Sequence, residues 1–470
     1  MPQRHLDRLT PVDASFLHQE GPVSHMHIGG LTIVEGPPPS MDEFLEQIRR
    51  RLHLVPRYRH KLAHTAVDSG RPVWIDDPDF NLEYHVRHSA LPAPGGMEQL
   101  QDLTARIFSQ QLDRSKPLWE MWLIEGLEDN RFALITKTHH SLIDGIAGVD
   151  LATVLFDLSP ESTPLPTGRS AWQPHPEPGT AALLTAGLQG AIRAGISLLE
   201  GAMTAVAHPE WALDRAREAA EGIGELIWAG LNPAPETPLN VPIGPHRRFI
   251  AVTNDLEDFK TVKNAFGGTV NDVVLAVVAG ALRSWLISRG RRTEGVEMRA
   301  LVPVSVRHEG EHDGGNRIVV MRGPLPIYIS DPLNRLRFVS NSMDGLKESK
   351  QALGAEVISS AQNFAPPTIL AQASRLNFST RLFNLIVTNV PGPQFPLYVL
   401  GREMLQAIPV AFLPENHAMA IAIMSYNGQM NFGLLGDFDA LPDIDKIAEA
   451  IDAELQTLIG LAREQQAAAV

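Results

Sequence analysis

Apolar and polar residues alternate in a way that predicts two adjacent strands in the first third of the chain. The runs LWEMWLIEG (118–126) and RFALITKTHH (131–140) are rich in strand-forming residues, and the short segment LEDN joins them. They are predicted to form an antiparallel pair. Upstream, a Ser40–Glu43 capping-box pattern precedes MDEFLEQIRRRL, which predicts a helix beginning at Met41.

A second set of patterns follows in the last half of the chain. The run VNDVVLAVVAGALRSWLISRG is apolar on most sides and predicts a buried helix ending at Gly290. Asn427-Gly428 separates two alternating runs and favours a type I′ hairpin turn. The remaining predicted strands are RRFIAVTND (247–255), EMRALVPVSVR (297–307) and FNLIVTNV (383–390).

Two proline-rich segments, 159–179 and 232–245, interrupt these patterns and are typical of linkers. The segment between them is rich in Ala, Leu and Gly and has helical periodicity. We therefore predict a first domain at 1–165, linkers and a helical connector at 166–245, and a second domain at 246–470. Both domains mix helix and strand, so the predicted fold class is α/β in the mixed, α+β sense.

Composition narrows the classes of function. The 470 residues include 40 basic and 54 acidic side chains, a net charge of −14, which argues against nucleic-acid binding because phosphate neutralisation needs a basic surface. The sequence contains no cysteine, which excludes disulfides, thiol nucleophiles and Cys-ligated metals.

Membrane-spanning and secretory signals are not expected. The first residues lack the apolar core of a signal peptide, and no uninterrupted run of 18 or more apolar residues occurs. The nearest candidate, residues 181–206, carries Gln189, Arg193 and Glu200. A helix that lies on a surface fits this segment better than one that crosses a bilayer.

Candidate chemistry is concentrated in KTHHSLIDGIAG, residues 137–148. His139 and His140 end the second predicted strand, and strand alternation places their rings on opposite faces. Two rings that point apart are poorly placed to bind one ion, which makes a zinc site the less favoured interpretation, and no metal is predicted.

A general base uses this arrangement better, because a neutral imidazole can accept a proton near pH 7. Asp144 favours a helix start, and Gly145 allows close backbone approach. No G-x-S-x-G nucleophile motif occurs. The alternative is that both histidines are structural residues at a strand end.

The stretch HHSLIDG matches the HHxxxDG motif of the chloramphenicol-acetyltransferase-like superfamily. Further stretches resemble one group within it, the bacterial wax ester synthase/diacylglycerol acyltransferases. They occur in the same order along essentially the whole chain: DASFL, MHIGGL, KPLWEMWLIEGL, TVNDVVLA, VPVSVR, GNRI and TNVPGP.

The resemblance implies two chloramphenicol-acetyltransferase-like domains joined by a helical connector, with the active site at their junction. The implied reaction moves a long-chain acyl group from acyl-coenzyme A to diacylglycerol or to a long-chain fatty alcohol. Direct attack in a ternary complex is implied, with acyl-coenzyme A as co-substrate and no cofactor.

The resemblance also implies roles for the motif residues. His140 is the general base, and His139 either supports it or packs in the strand. Asp144 is structural and orients the loop, with Arg307 as a suggested partner, and Gly145 shapes the loop.

Five further residues are weaker candidates for substrate binding. Thr269 and Asp272 form a helix-start pattern, so Asp272 is expected to be structural, whereas Asn271 could also shape the site. Pro117, Leu118 and Trp119 correspond to the PLW segment of the family, and core packing is the alternative for them.

Lipid substrates imply a cytoplasmic protein peripherally associated with the inner membrane or with lipid droplets. Residues 181–206 are the candidate contact, with packing between domains as the alternative. Competing interpretations are an acyltransferase making polyketide or glycolipid esters, a stand-alone condensation domain, and a non-catalytic lipid-binding protein.

Overall fold

The computed structural model describes residues 7–63, 72–142, 155–161, 172–179, 185, 203, 232–305, 318–348 and 378–468. The described part contains two six-stranded sheets and one three-stranded sheet, with helices packed against them. The predicted mixed α/β class is confirmed. The helical periodicity predicted at 181–206 lies outside the described residues, apart from residues 185 and 203.

The first part of the chain begins with strands and helices in alternation. Ser40 caps its second helix as predicted, because its hydroxyl accepts from the Glu43 N–H while the Glu43 carboxylate accepts from the Ser40 N–H. The strands are β1 (Asp7–Arg8), β2 (His27–Glu35), β3 (His60–Ala63), β4 (Val73–Asp76), β5 (Val86–Ala90), β6 (Trp119–Leu127) and β7 (Arg131–His139). The helices are α1 (Pro11–Gln19), α2 (Met41–Arg51), α3 (Leu82–His85) and α4 (Met97–Ser109), with 3₁₀ turns at Leu52–Leu54, Pro56–Arg59 and His140–Leu142.

The predicted hairpin of β6 and β7 is confirmed as an antiparallel pair, with Trp119 opposite Thr138. On its other side β7 pairs with β2, and the last cross-strand pair is His27 with His139. Strand β7 is therefore flanked on both sides, and the histidine motif follows directly from the end of this interior strand.

The second part of the chain supplies the other large sheet. All strands predicted there are confirmed, and Asn427 and Gly428 have φ of 43° and 81°, as a type I′ turn requires. The strands are β8 (Arg247–Asp255), β9 (Met298–Ser305), β10 (Ile318–Leu325), β11 (Leu385–Pro391), β12 (Tyr398–Val399), β13 (Arg402–Val410), β14 (Met419–Tyr426) and β15 (Gln429–Asp437). The helices are α5 (Leu256–Phe266), α6 (Val270–Ser288), α7 (Pro332–Glu348) and α8 (Ile444–Ala468).

Helix α6 is the buried helix that the sequence predicts. Among the described residues it is the one helix long and apolar enough to cross a membrane, and 72% of its most apolar window is buried within the protein. Its neighbours are α5, α7 and α8. It is the core helix of the second half.

The two large sheets do not follow the order of the chain strictly. Strands β12 and β13 lie in the second half of the sequence, yet β13 pairs antiparallel with β2, so both belong to the first sheet. The sheet order is β12-β13-β2-β7-β6-β5. Local patterns identify strands but not their partners, so the crossover could not be predicted from them.

The proline-rich segment 232–245 is packed rather than loose. Its Leu239 is fully buried, and the Leu239 carbonyl accepts a hydrogen bond from the Ala418 N–H. One continuous apolar core includes residues from both halves of the chain, such as Leu31 and Ile421. The two sheets therefore share a core.

Candidate active site

His139 and His140 lie where β7 ends and the His140–Leu142 turn begins. The His139 N–H donates to the Leu118 carbonyl at 3.0 Å, whereas the His140 N–H donates to the Met26 carbonyl at 2.8 Å. Their main chains are thus held by the residues that immediately precede β6 and β2, the two strands that flank β7. The predicted separation of the two rings is confirmed, since each ring has different neighbours.

The ring of His139 is buried and its tautomer is fixed by its neighbours. Its Nδ1 accepts from the Ser141 N–H at 3.1 Å and lies 2.7 Å from the Ser141 hydroxyl. A neutral imidazole whose Nδ1 accepts must carry its proton on Nε2. That Nε2 faces Glu20 Oε2 at 3.6 Å.

The ring of His140 lies between two aromatic rings. It stacks on Phe16 at a centroid distance of 4.0 Å and meets Phe412 edge-on at 5.9 Å. Its Nδ1 is buried without a hydrogen-bond partner among the described residues. Burial, and to a smaller extent the nearby His139, lower the pKa of His140 from 6.5 to about 4, so the ring is neutral at pH 7.

Glu20 is the buried acid of the site, and its side chain is only 1% exposed. Arg114 donates to Glu20 Oε2 from Nε at 2.7 Å, and His27 Nε2 lies 3.5 Å from Oε1. Glu20 therefore contacts both members of the terminal pair of β2 and β7, namely His27 and His139.

Charge is distributed unevenly in this cluster. Burial tends to raise the pKa of Glu20, but the adjacent His139, His27 and Arg114 outweigh it and the pKa is lowered, so the carboxylate is ionised. Burial lowers the pKa of both His27 and His139. The permanent cation beside Glu20 is Arg114, and its side chain is 39% exposed.

Comparison with known proteins places this site in a family. Residues 9–274 match the wax ester synthase/diacylglycerol acyltransferase catalytic domain, and residues 314–459 match the corresponding C-terminal domain. The chain belongs to this family. It is an acyltransferase, and its substrates are an acyl-CoA and an acyl acceptor.

Relatives in this family align with nearly the whole length of the chain. The probable diacylglycerol O-acyltransferase tgs1 of Mycobacterium tuberculosis is 33% identical over 466 residues, which are 98% of this chain and 97% of the relative. The solved wax ester synthase/diacylglycerol acyltransferase from Marinobacter aquaeolei VT8 is 27% identical, with a TM-score of 0.69 and coverage of 97% and 99%.

Condensation domains share the fold of this family. The first condensation domain of the CDA synthetase has a TM-score of 0.57 at 16% identity, and the match covers 97% of this chain and 96% of that one. The predicted chloramphenicol-acetyltransferase-like fold is confirmed.

The PLW segment lies in the core of this acyltransferase. Pro117, Leu118 and Trp119 are buried, and the Trp119 indole N–H donates to the Tyr58 carbonyl at 2.8 Å. Leu118 also accepts the hydrogen bond that holds the His139 main chain. These contacts favour the core alternative, and a substrate contact by this segment stays a prediction.

The ND pair has two different environments. Asp272 is buried and completes a capping box with Thr269, whose N–H donates to Asp272 Oδ2 at 2.7 Å, as the structural interpretation predicts. Asn271 is partly exposed, and its Oδ1 accepts from Asn389 at 3.3 Å, which links α6 to the TNVPGP stretch. A substrate role for Asn271 stays a prediction.

Three predicted residues, Asp144, Gly145 and Arg307, lie outside the described residues, so their predicted roles are untested. Within the described ranges no group of three or more His, Asp or Glu side chains could hold a metal ion.

Sequence reasoning missed Glu20, Arg114 and His27. Glu20 and Arg114 are 94 residues apart, and no spacing rule connects them. His27 lies within the stretch MHIGGL, which was recognised only as a family signature. Glu20 can be recognised as a site residue only in the folded structure, where strand pairing brings its partners together.

Proposed function

We propose that this protein transfers a long-chain fatty acyl group from acyl-coenzyme A to diacylglycerol, to a long-chain fatty alcohol, or to both, with His140 as general base. The environment of His140 carries the proposal. A neutral, partly exposed imidazole at the end of a fixed strand is able to accept a proton from a hydroxyl group.

The two nitrogens of His140 have different tasks in this proposal. Nδ1 is buried without a hydrogen-bond partner among the described residues. In this scheme Nδ1 holds the proton of the neutral ring. The lone pair of Nε2 then receives the proton of the acceptor hydroxyl.

The proposed step is a direct acyl transfer. As Nε2 takes the hydroxyl proton, the acceptor oxygen attacks the thioester carbonyl carbon and a tetrahedral intermediate forms. The C–S bond breaks next, the ester is released, and the imidazolium returns its proton to the sulfur of coenzyme A. No cysteine is available as a covalent nucleophile, and both substrates are bound together in this scheme.

Aromatic side chains around His140 support a lipid substrate. Phe412 lies 6.3 Å from Phe16 and 5.8 Å from Phe378, centroid to centroid, so the ring of His140 adjoins a row of apolar groups. Such an apolar surface is better suited to contact an acyl chain than a polar substrate. The names of the relatives point to diacylglycerol and wax-forming alcohols as acceptors.

Lipid substrates also support a location in the cytoplasm, peripherally associated with the inner membrane or with lipid droplets. In this proposal acyl-coenzyme A is a co-substrate, and no further cofactor takes part.

The test is transfer from palmitoyl-CoA to dioleoylglycerol or hexadecanol by the purified full-length protein. His140→Ala should lower turnover about 10²- to 10⁴-fold, the usual contribution of a general base, while the protein stays folded. His88→Ala is the matched control, because His88 is exposed and pairs only with Glu125 among the described residues. Turnover near the wild-type rate in the His140 variant would refute the assignment.

A further inference from the structure

We propose that Glu20 is the positioning residue of this active site: it holds the strand end, the turn and the aromatic ring that together fix His140. The inference rests on the proposed role of His140 as general base and adds a residue that does not touch substrate itself. Three connections carry it, and each runs from Glu20 to a direct neighbour of His140.

The first connection passes through His139. Its Nε2 faces Glu20 Oε2 at 3.6 Å, and its Nδ1 accepts from the Ser141 N–H at 3.1 Å. The hydrogen bond between His139 and Ser141 thus connects the two residues on either side of His140. A negative charge beside Nε2 favours the tautomer with the proton on that nitrogen, which leaves Nδ1 free to accept.

The second connection passes through β2. His27 lies 3.5 Å from Glu20 Oε1 and is the cross-strand partner of His139. The residue before it, Met26, accepts the main-chain hydrogen bond of His140 at 2.8 Å. Glu20 therefore contacts the terminal residue pair of β2 and β7, and His140 directly follows this pair in the chain.

The third connection is the main chain of Glu20 itself. Its N–H donates to the Phe16 carbonyl at 3.1 Å at the end of α1. Phe16 is the residue whose ring stacks on His140 at 4.0 Å. A shift of Glu20 would move the stacking ring together with the strand end.

Arg114 keeps Glu20 in place. It donates to Glu20 Oε2 at 2.7 Å and to the Leu17 carbonyl at 2.7 Å, so one guanidinium binds the carboxylate and the end of α1. Arg114 also lines a cavity of about 500 Å³. Because this guanidinium reaches solvent, neutralising Glu20 does not leave a fully buried cation.

The test uses Glu20→Gln in the full-length protein. This change keeps the size of the side chain and removes its charge. We expect kcat to fall about 10- to 100-fold, the usual effect of losing a group that orients a functional histidine, with KM for palmitoyl-CoA unchanged. In ¹⁵N-histidine NMR spectra the His139 nitrogens should change from one tautomer to a mixture.

Glu454→Gln is the matched control. Glu454 also forms a partly buried ion pair, with Arg335, and lies in α8 away from the histidines. This variant should lower the melting temperature without changing kcat or the His139 signals. A normal kcat in Glu20→Gln, or a loss of activity that only follows the loss of folded protein with unchanged His139 signals, would overturn the proposal.

A double variant covers the case in which Glu20→Gln does not fold. Glu20→Gln with Arg114→Met removes both charges and should have a kcat about 10- to 100-fold below that of the wild-type protein, because the two residues act as one unit. A kcat near wild type in the double variant would contradict the role of Glu20. Normal turnover in His140→Ala would instead refute the proposed function, so the two failures are distinguishable.

Discussion

At the scale of single residues, the neutrality of His140 follows from where its ring lies. Enclosure of Nδ1 and contact with Phe16 and Phe412 remove water that would stabilise the imidazolium. His139 adds a smaller effect of the same sign. The protein therefore keeps the proton-accepting form of this ring at pH values where a free histidine is mostly protonated.

This predicts an unusual pH profile for catalysis. A base with a pKa of 6.5 would lose about ten-elevenths of its neutral form at pH 5.5, whereas one with a pKa of about 4 stays neutral there. Lowering the pH protonates the base, so the acidic limb of kcat/KM should lie near pH 4 to 5. Initial rates from pH 8 to pH 4, with circular dichroism as a folding control, would check it. A limb centred at pH 6.5 would contradict the shift.

The sequence predicts His140 as the candidate base but does not predict the residues that surround it. HHSLIDG is a contiguous motif, and strand alternation alone separated its two rings. Glu20 and Arg114 are 94 residues apart, and the contact of this pair with His27 and His139 depends on the pairing of β2 with β7 and on the end of α1. Such contacts belong to the tertiary structure, and no periodic pattern in the sequence predicts them.

At the scale of elements, local rules predicted most of the structure. The capping boxes at Ser40 and Thr269 and the Asn427-Gly428 turn all depend on residues within four positions of one another. These interactions form between residues that are close in the sequence and do not depend on long-range packing, which explains why these predictions are correct.

The capping box of α6 should contribute measurably to stability. Asp272 is fully buried, and its Oδ2 accepts from the Thr269 N–H, which no other described group satisfies. Asp272→Ala should lower the free energy of unfolding by about 1–2 kcal/mol, because the capping hydrogen bond is lost and a space is left where the Asp272 carboxylate was fully buried. Urea denaturation would measure the difference.

Glu43→Ala supplies the comparison, since it removes the equivalent residue from the exposed capping box of α2. Water can satisfy the freed N–H there, so the loss should be smaller, about 0.5–1 kcal/mol. Equal losses at the two sites would mean that burial of Asp272 adds nothing to its capping role.

At the scale of the whole molecule, the two halves are joined by the crossover of β12 and β13. Strand β13 pairs with β2 in the first sheet and also packs against β14 and β15 of the second. Sequence patterns predict a division of the chain at residue 246, because such patterns depend only on residues that are close in the sequence. The division of the sheets follows hydrogen bonds between distant strands, and one core extends across both.

The contact between β13 and β15 depends on a glycine, and this gives a test of how strongly the halves are joined. A Cβ built on Gly433 would lie 1.9 Å from the Pro409 carbonyl oxygen, so any side chain must push the two strands apart. Gly433→Ala should therefore lower the free energy of unfolding by about 1–3 kcal/mol, as overpacking of a close contact does.

Gly460→Ala, in an open position of α8, should instead stabilise the protein by about 0.5–1 kcal/mol, because alanine favours helix. Thermal melts of the two variants should shift in opposite directions, and an unchanged melt for Gly433→Ala would show that the crossover strand tolerates separation from the second sheet.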